Sequence, residues 1–537
     1  MKTKHWISAL VLALAFPVNA VAQDDDDFRK DFENFRKKAH KDYDDFRKQC
    51  LVEYSDFVRQ AWKPFNVEPA VPMPKEEEML PMLAPGADAQ TASWFSKQMN
   101  KLKESFKKRN KPVPAQLENP QPQPQPKKAE QKKPEVVQVK EVLKPEPKVK
   151  QPEPIAEVKE DDFRANSYKT YSVFGTECRV RIGENCRFKL ADLRSNTVAD
   201  LIENEFVKTQ YDNMLYDCLQ ERKKHGLSDW AYYQLLKTMT RQFYGEDSNE
   251  GVLVQAFLYS QSGYKMRLAH DEDHLYMLAA TRHFIYNRSY FMMDGEWYFM
   301  FDNRQKSTLS ICTASFPKES SLSLQISTAQ QLALNPTPER TITSAKNPDF
   351  SFTLTSNKNY IDFYETYPSS TVNNNFMTRW AMYANTPLEQ GIRDQLYPPM
   401  RQKLQGLNQQ EAVQQLLWWV QTGLDYQYDE EIWGEDRAFF GEESLFYPFC
   451  DCEDRSILLS HLVRELVGLD VVLIYYPGHL AMAVEFTEPL KGSHDVLIYE
   501  NRKFVVCDPT YIGSRVGETM PMVQGQPTTL ILLQKQS

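Results

Sequence analysis

Three short motifs near the C-terminus carry side chains that nucleophilic catalysis uses. The first, Asp-Cys-Glu-Asp-Arg-Ser, places Cys452 directly before an apolar run with helical spacing. The second, Gly-His, places His479 at the start of a strand-like run, and the third, Cys-Asp-Pro-Thr, places Asp508 after another. A thiol, an imidazole and a carboxylate are the parts of a catalytic triad. The sequence therefore predicts that these three side chains converge.

Each side chain of this trio has a distinct expected role. Cys452 begins a helix, where backbone N–H groups and the helix dipole stabilise a thiolate, although the neighbouring carboxylates oppose this effect. The imidazole of His479 takes the thiol proton and later returns it to a leaving group. The carboxylate of Asp508 holds one ring nitrogen and sets the tautomer. We therefore expect a thiolate poised for nucleophilic attack.

Together the three motifs resemble the core of the transglutaminase-like superfamily, which has a papain-like Cys-His-Asp arrangement. The resemblance extends over roughly residues 405–520. It implies that Cys452 is the nucleophile, His479 the base and Asp508 the orienting carboxylate. It also implies an acyl-enzyme formed from an amide or peptide bond, and we predict no cofactor and no metal.

The resemblance departs from the family pattern at one position and leaves one role open. Cys450 stands two residues before the predicted nucleophile, where the family usually has glycine; Cys452 is preferred because its helix position and the acidic pair after it match. The family's oxyanion donor is commonly an upstream Gln, Asn or aromatic side chain, so Gln421, Trp433 and Tyr447 are candidates here. The backbone N–H of Cys452 is expected to contribute as well.

The cysteines also leave two alternatives open. A zinc site is the first, although the Cys-x-Cys spacing is poor for zinc. Its ligands would be Cys450, Cys452, Cys507 and His479. The second is a disulfide bond between Cys178 and Cys186 across a hairpin, which an oxidising compartment permits.

An internal match suggests a second, silent copy of this core. Shifting the sequence by 205 residues places residues 252–279 on residues 457–484 without a gap. The positions that correspond to Cys452, His479 and Asp508 are Asp247, His274 and, after a further shift of one residue, Asp302. A carboxylate at the nucleophile position cannot perform thiol chemistry. The match predicts a degenerate module that shapes or binds substrate, unless it arose by chance.

The elements that must position these residues form an α+β chain of several segments. A basic start, an apolar run and Ala-Val-Ala indicate an export signal, so the mature protein is expected in the periplasm or cell envelope, or secreted. The predicted segments are a signal peptide at 1–22, a long amphipathic helix at 24–65, an unassigned stretch at 66–110 with a helix candidate at 91–109, a disordered Pro/Lys/Glu-rich linker at 111–160, the degenerate module at 163–308, a β-rich segment at 309–390 and the catalytic domain at 391–537.

The long helix at 24–65 has a role that the sequence leaves open. Its aromatic and apolar residues recur at steps of three or four, which is helical spacing. This stripe must pack against something. It either docks on the main body or self-associates, as in a coiled coil, or it binds a dedicated partner.

Composition excludes several functional classes. The net charge of −9 argues against a nucleic-acid binder, and eight cysteines in 537 residues are too sparse for a disulfide scaffold. No apolar stretch after the signal is long enough to span a bilayer. We therefore predict an exported cysteine hydrolase or peptidase acting on a protein or peptide, with hydrolysis favoured over cross-linking. The alternative is a non-catalytic envelope protein that uses this fold for binding or scaffolding.

Overall fold

The computed structural model describes most of the chain. The described residues are 24–60, 62–75, 78–109, 111, 113, 117, 135–161, 167–206, 211–302, 308–327, 329–372 and 375–535. The fold is mixed α+β, with 40% helix and 22% strand, as predicted. The predicted signal peptide at 1–22 lies outside the described residues. None of the described helices combines the length and the apolarity that crossing a bilayer requires.

The helices and strands are numbered in chain order over the described residues. The α-helices are α1 (Asp24–Arg59), α2 (Ala89–Lys108), α3 (Ser195–Leu201), α4 (Tyr211–Lys224), α5 (Asp229–Tyr244), α6 (Asn249–Gln261), α7 (Lys358–Tyr364), α8 (Arg379–Asn385), α9 (Gln390–Leu404), α10 (Gln409–Gly423), α11 (Asp429–Ile432), α12 (Gly441–Phe446) and α13 (Cys452–Leu462). The strands outside the two large sheets are β2 (Met82–Leu83), β4 (Tyr168–Val173), β5 (Thr176–Arg181), β8 (Phe284–Ile285), β12 (Arg340–Thr343), β13 (Ser351–Leu354), β14 (Ser370–Thr371), β15 (Asp425–Tyr426), β16 (Phe449–Cys450) and β21 (Tyr511–Ile512).

Two six-stranded sheets dominate the described residues. The first sheet has the order β1-β11-β6-β7-β10-β9, with strands β1 (Lys63–Asn66), β6 (Met266–His270), β7 (Leu275–Thr281), β9 (Tyr290–Met293), β10 (Glu296–Met300) and β11 (Thr308–Ile311). The second sheet has the order β3-β22-β17-β18-β20-β19, with strands β3 (Val139–Leu143), β17 (Val471–Tyr476), β18 (His479–Val484), β19 (Val496–Tyr499), β20 (Arg502–Cys507) and β22 (Thr528–Leu532). Strand order is therefore the same in both sheets.

The two sheets also agree in register. In the first sheet Met266 pairs with Ala279, and the pair 205 residues later, Val471 with Val484, is formed in the second. Strands β10 and β20 also correspond, once the further shift of one residue in the sequence match is applied. In the first sheet β10 pairs with β7, and in the second β20 pairs with β18 through the equivalent residues. A helix precedes each sheet's central hairpin, α6 in one and α13 in the other, and packs on it. The chain thus contains a structural duplication.

The central hairpin of the second sheet is buried on both faces. Every residue of β17 and β18 is buried, as is every residue of α13. Their sequences are nearly continuous apolar runs, which is the pattern of strands covered on both sides. The ends of these buried elements therefore have a fixed position, and the motif residues lie at those ends.

The long N-terminal helix is shorter than the sequence predicts. It ends at Arg59 rather than at residue 65, because residues 63–66 form β1 beside β11 and Pro64 disfavours a helical residue before it. Its second half docks on the body through a face that includes Leu51, Tyr54 and Val58, whereas Phe32 and Phe35 nearer its start are 57% and 69% exposed. In the neighbouring stretch, the helix candidate at 91–109 corresponds to α2, which is capped by Asp88.

Two other predictions are wrong in part, and one alternative that the sequence leaves open, the disulfide bond, is not formed. The linker at 111–160 is structured from residue 135 onward, because β3 pairs with the edge strand β22, which would otherwise expose unpaired backbone groups. The β-rich segment at 309–390 also contains α7 and α8; the spacing of Tyr360, Phe363 and Tyr364 is helical. Cys178 and Cys186 are buried free thiols rather than a disulfide bond.

Candidate active site

The three motif residues lie where buried elements begin or end. Cys452 is the first residue of α13, whose N-cap is Asp451 in a capping box with Asp454. His479 is the first residue of β18, and Asp508 directly follows β20, its neighbour in the sheet. Strand pairing therefore brings the histidine and the aspartate to the same end of the sheet's strands. Helix α13, which Cys452 begins, packs on β18.

The histidine and the aspartate form a buried pair. His479 Nε2 lies 2.9 Å from Asp508 Oδ2, and each residue is only 1% exposed. The other carboxylate oxygen, Oδ1, accepts the N–H groups of Thr510 at 2.8 Å and Tyr511 at 3.2 Å. His479 Nδ1 is buried without a hydrogen-bond partner. The carboxylate thus holds one ring nitrogen and leaves the other for a second group.

Cys452 lies beside this pair but is closed off from solvent. The helix that Cys452 begins, α13, packs against β18, the strand that begins with His479. One turn along α13, Ser456 Oγ donates to the Leu480 carbonyl at 2.9 Å and fixes the helix on the strand. The Cys452 residue is 2% exposed. The structure therefore pairs His479 with Asp508 and packs the helix that Cys452 begins against the strand that His479 begins, with the sulfur buried.

The electrostatics of the thiol differ from the expectation of a stabilised thiolate. Burial raises the pKa of Cys452 well above its usual value, and the charges of Asp451, Glu453 and Glu78 raise it further. Glu453 Oε2 lies 4.0 Å from the sulfur. The helix N-terminus favours a thiolate, but desolvation and three nearby carboxylates outweigh it in this conformation. In this conformation the thiol form of Cys452 is therefore favoured over the thiolate.

Cys450 occupies a different environment. Its sulfur faces the Asp425 carbonyl at 3.8 Å, and burial raises its pKa to about 12. Cys507 turns its sulfur to the Val505 carbonyl at 3.7 Å, within the strand. The side chains that the structure groups around the Cys452 sulfur with metal-ligand spacing are Asp451 and Glu453, which differ from the zinc set considered from the sequence.

A cluster of buried carboxylates surrounds the start of α13. Carboxylate oxygens of Asp429, Asp436 and Glu453 lie within 4.8 Å of one another, so they have the donor type and spacing to hold a hard cation. Arg379 already serves two of them, since its Nη2 donates to Asp436 at 2.7 Å and to Glu453 at 3.1 Å. Burial raises the pKa of Asp429 and of Glu453 well above the usual range. The cluster is therefore partly neutralised by arginine and partly by protons.

Gln421, a candidate oxyanion donor from the sequence, has another task. Its Nε2 donates to the carbonyls of Asp508 at 3.1 Å and Tyr511 at 2.9 Å and to Ser514 Oγ at 2.9 Å. Its Oε1 accepts the Gly513 N–H at 3.1 Å. With both ends of the amide engaged, Gln421 builds the turn that carries the catalytic-site aspartate.

The two aromatic candidates for the oxyanion donor are Tyr447 and Trp433, and the structure adds a third, Tyr426, that the sequence does not indicate. Tyr447 donates its hydroxyl to Glu365, and Trp433 Nε1 is buried without a partner beside the Arg437 guanidinium. Tyr426 pairs with Cys450, two residues before Cys452; burial raises the pKa of its hydroxyl well above the usual value, and the charge of Cys452 raises it further. The parallel pairing of β15 with β16, two residues before the nucleophile, brings Tyr426 there, and no local motif signals it.

Arg455 is a second buried residue whose role the sequence did not reveal. Its guanidinium donates to the carbonyls of Gln421 at 3.3 Å, Leu424 at 2.7 Å and Pro509 at 3.3 Å. The same group lies 5.3 Å from the Tyr426 ring centroid. It therefore ties α13 to the end of α10, to Tyr426 and to the turn after Asp508.

The corresponding place in the first sheet is built differently. Asp247 and Asp302 line a cavity of about 250 Å³ there. Asp302 is paired with Arg241 at 3.0 Å and Lys237 at 3.5 Å, whereas His274 Nδ1 lies 3.6 Å from Asp271. The first copy thus has Asp247 where the second copy has the Cys452 thiol. Its Asp302 is paired with cations, whereas the equivalent Asp508 is paired with an imidazole.

No protein-family model, curated protein or solved structure matches the chain. The likeness to the transglutaminase-like superfamily therefore rests on the three motifs.

Proposed function

We propose that the chain is an exported cysteine enzyme of transglutaminase-like type that cleaves an amide or peptide bond through a thioester. The observation that carries the proposal is the buried pair of His479 and Asp508, whose free ring nitrogen lies at the sheet edge where the Cys452 helix begins. An oriented imidazole beside a cysteine is the basis of thiol catalysis.

The chemistry follows from these groups. His479 takes the thiol proton as the sulfur attacks the carbonyl carbon of the amide, and the carbonyl oxygen becomes an oxyanion. Collapse of this intermediate breaks the C–N bond, and the imidazolium returns the proton to the leaving amine. Water then hydrolyses the thioester to a carboxylate and regenerates the thiol. Hydrolysis is favoured over transfer to an amine, since transfer needs a shielded acceptor site.

A non-catalytic binding or scaffolding protein of the cell envelope is the second candidate. The buried thiol with its raised pKa favours it, because a closed sulfur among carboxylates is a poor nucleophile. The intact pairing of the histidine with the aspartate favours the enzyme. For either candidate we propose, from the predicted export signal at residues 1–22, a location in the periplasm, the cell envelope or the medium.

Capture of the acyl-enzyme separates the two candidates. Cell-envelope extract is treated with acyl-donor probes, and the covalent adduct on the purified protein is mapped by mass spectrometry. We expect an adduct on Cys452 that Cys452→Ala abolishes and that the matched variant Cys450→Ala retains. Reaction of both cysteines at equal rates, or of neither, would favour the scaffold.

A further inference from the structure

A distant segment of the same chain lies across the candidate site. Residues 78–84, here called the strap, pair with the backbone on both sides of it. The Met79 N–H donates to the Gly478 carbonyl at 2.9 Å, directly before the histidine. The Met82 N–H donates to Thr510 at 3.4 Å and the Ala84 N–H to Ile512 at 2.8 Å, directly after the aspartate's turn. The strap thus spans the positions next to the base and its orienting carboxylate.

The strap also presents a carbonyl group to the site. The Met79 carbonyl accepts the hydroxyl of Tyr426 at 3.3 Å, and strand pairing places Tyr426 beside Cys450, two residues before Cys452. An amide substrate needs the same two contacts: its backbone held in an extended form, and its carbonyl oxygen held by a donor beside the nucleophile. The Met79 residue therefore makes the contacts of a bound peptide.

The strap is anchored by an apolar contact rather than by charge. Leu80 is buried in a cluster with Leu102 and Phe106 of α2 and with Tyr426. Glu78, in contrast, places a buried Oε2 without a hydrogen-bond partner near other carboxylates, and burial and these charges raise its pKa. The strap is thus held by its backbone and by Leu80, against an unfavourable charge arrangement at its first residue.

We propose that the strap occupies the substrate groove of the enzyme. From this occupancy we infer that the substrate is an extended peptide bound by backbone pairing to Gly478 and to the 510–512 segment. The Tyr426 hydroxyl then binds the oxygen of the reacting carbonyl. Calling the bound peptide a substrate rests on the proposed thiol chemistry. Binding of a peptide in the groove can be measured without turnover.

The first experiment loosens the strap in the full chain. Leu80→Asp places a charge in the apolar anchor, and Leu334→Asp makes the same change at a side chain that is 77% exposed. Iodoacetamide labelling of each cysteine is followed by peptide mapping. Because labelling of a buried thiol scales with its open population, we expect Cys452 to react at least about tenfold faster in Leu80→Asp only. Labelling of Cys507 should stay unchanged.

A second variant covers the case in which Leu80→Asp unfolds the domain, which faster labelling of Cys507 would reveal. Met79→Pro removes the N–H that donates to Gly478, replaces the Met79 side chain, fixes φ at this residue and leaves the Leu80 anchor in place. We expect the same selective exposure of Cys452. Labelling of Cys452 at the wild-type rate in both variants would overturn the proposal.

The third measurement tests whether the groove binds a peptide in trans. A synthetic peptide of residues 76–88 is added to Leu80→Asp, alongside the same peptide with the Met79 nitrogen methylated. We expect the unmodified peptide to slow Cys452 labelling and the methylated one to protect at least about tenfold more weakly, since it cannot donate to Gly478. Equal protection by the two peptides, or none, would overturn the inference.

The two proposals fail separately. Loss of acyl-enzyme capture with intact peptide protection would remove the enzyme and keep a peptide-binding groove. Acyl-enzyme capture without peptide protection would keep the enzyme and remove the strap as a substrate-like occupant.

Discussion

Replacing Gln421 by leucine removes the side chain that holds the turn after Asp508. The buried amide donates to Asp508, Tyr511 and Ser514 and accepts from Gly513. Leucine has a similar volume, so the substitution removes these hydrogen bonds without leaving a large cavity. The aspartate that orients the imidazole would then depend on a turn with fewer internal bonds.

The expected loss of stability follows from counting the groups left behind. The Tyr511 carbonyl still accepts the Ser514 N–H, whereas the Asp508 carbonyl and the Gly513 N–H lose the partner that Gln421 supplied. A buried polar group without its partner costs about 1–3 kcal/mol. We therefore expect Gln421→Leu to lower the free energy of unfolding by about 2–5 kcal/mol.

The assay is urea unfolding, combined with hydrogen exchange of the peptide that covers residues 508–514. Gln414→Leu is the matched control, because Gln414 lies on the same helix, is half-buried and bonds to Ser514 and Val516 at 3.3 and 2.9 Å. Its loss should cost about 1 kcal/mol. Exchange at residues 508–514 should accelerate much more in Gln421→Leu than in the control.

A different outcome would refute this reasoning. If Gln421 were the oxyanion donor that the sequence allows, its loss would lower acylation by about 10²–10³-fold and leave stability near that of the control. Such a result would mean that the hydrogen bonds to the turn form only in the closed state. It would return Gln421 to the catalytic machinery and remove its assignment as a positioning residue.

Three further predictions test the site, its pH dependence and the N-terminal helix. Asp508→Asn keeps the bonds to the turn but loses the carboxylate, so acyl-enzyme formation should fall about 10²–10⁴-fold in single-turnover measurements, and an unchanged rate would exclude the orienting role. Burial raises the pKa of Glu442 to about 7, so its share of stability is complete below pH 4.5 and is lost as the pH rises toward 7. Glu442→Gln should therefore gain up to about 3 kcal/mol over wild type at pH 8 and little at pH 4.5 in urea titrations, whereas the exposed Glu430→Gln should follow wild type at both values. Tyr54→Ala should cost about 3–5 kcal/mol if the helix is docked through its buried ring, whereas the exposed Phe35→Ala should cost almost nothing; equal effects would contradict docking.

The candidate trio could be proposed from the sequence because each of its residues sits at the boundary of a helix or strand and has a local signal. Cys452 follows a capping aspartate, His479 follows a glycine before an apolar strand, and Asp508 precedes a proline. The internal match at a shift of 205 residues has a similar basis, because the same helix and strand patterns recur at that spacing in the two copies. Local order of this kind survives in the sequence, and it predicted the duplicated strand register.

The environment of the trio could not be predicted, because it is made by segments far away along the chain. Glu78 and Tyr426 reach the thiol through backbone pairing that depends on register rather than on residue type. The expected low pKa of Cys452 considered only its helix and its immediate neighbours. Burial and the charge of the distant Glu78 reverse that expectation, and no property of residues 445–460 indicates either of them.

The same separation along the chain explains why the sequence of residues 111–160 predicts a disordered linker. A proline-rich tract has no periodic apolar face, yet β3 needs only a short alternating run because β22 supplies the partner groups. In the first sheet β1 covers the equivalent edge strand, β11, although it runs antiparallel where β3 runs parallel. Two unrelated pieces of the N-terminal part thus close the same edge of two duplicated sheets. That part of the chain is therefore a cover for both copies, and over the copy that carries the thiol it also supplies the strap.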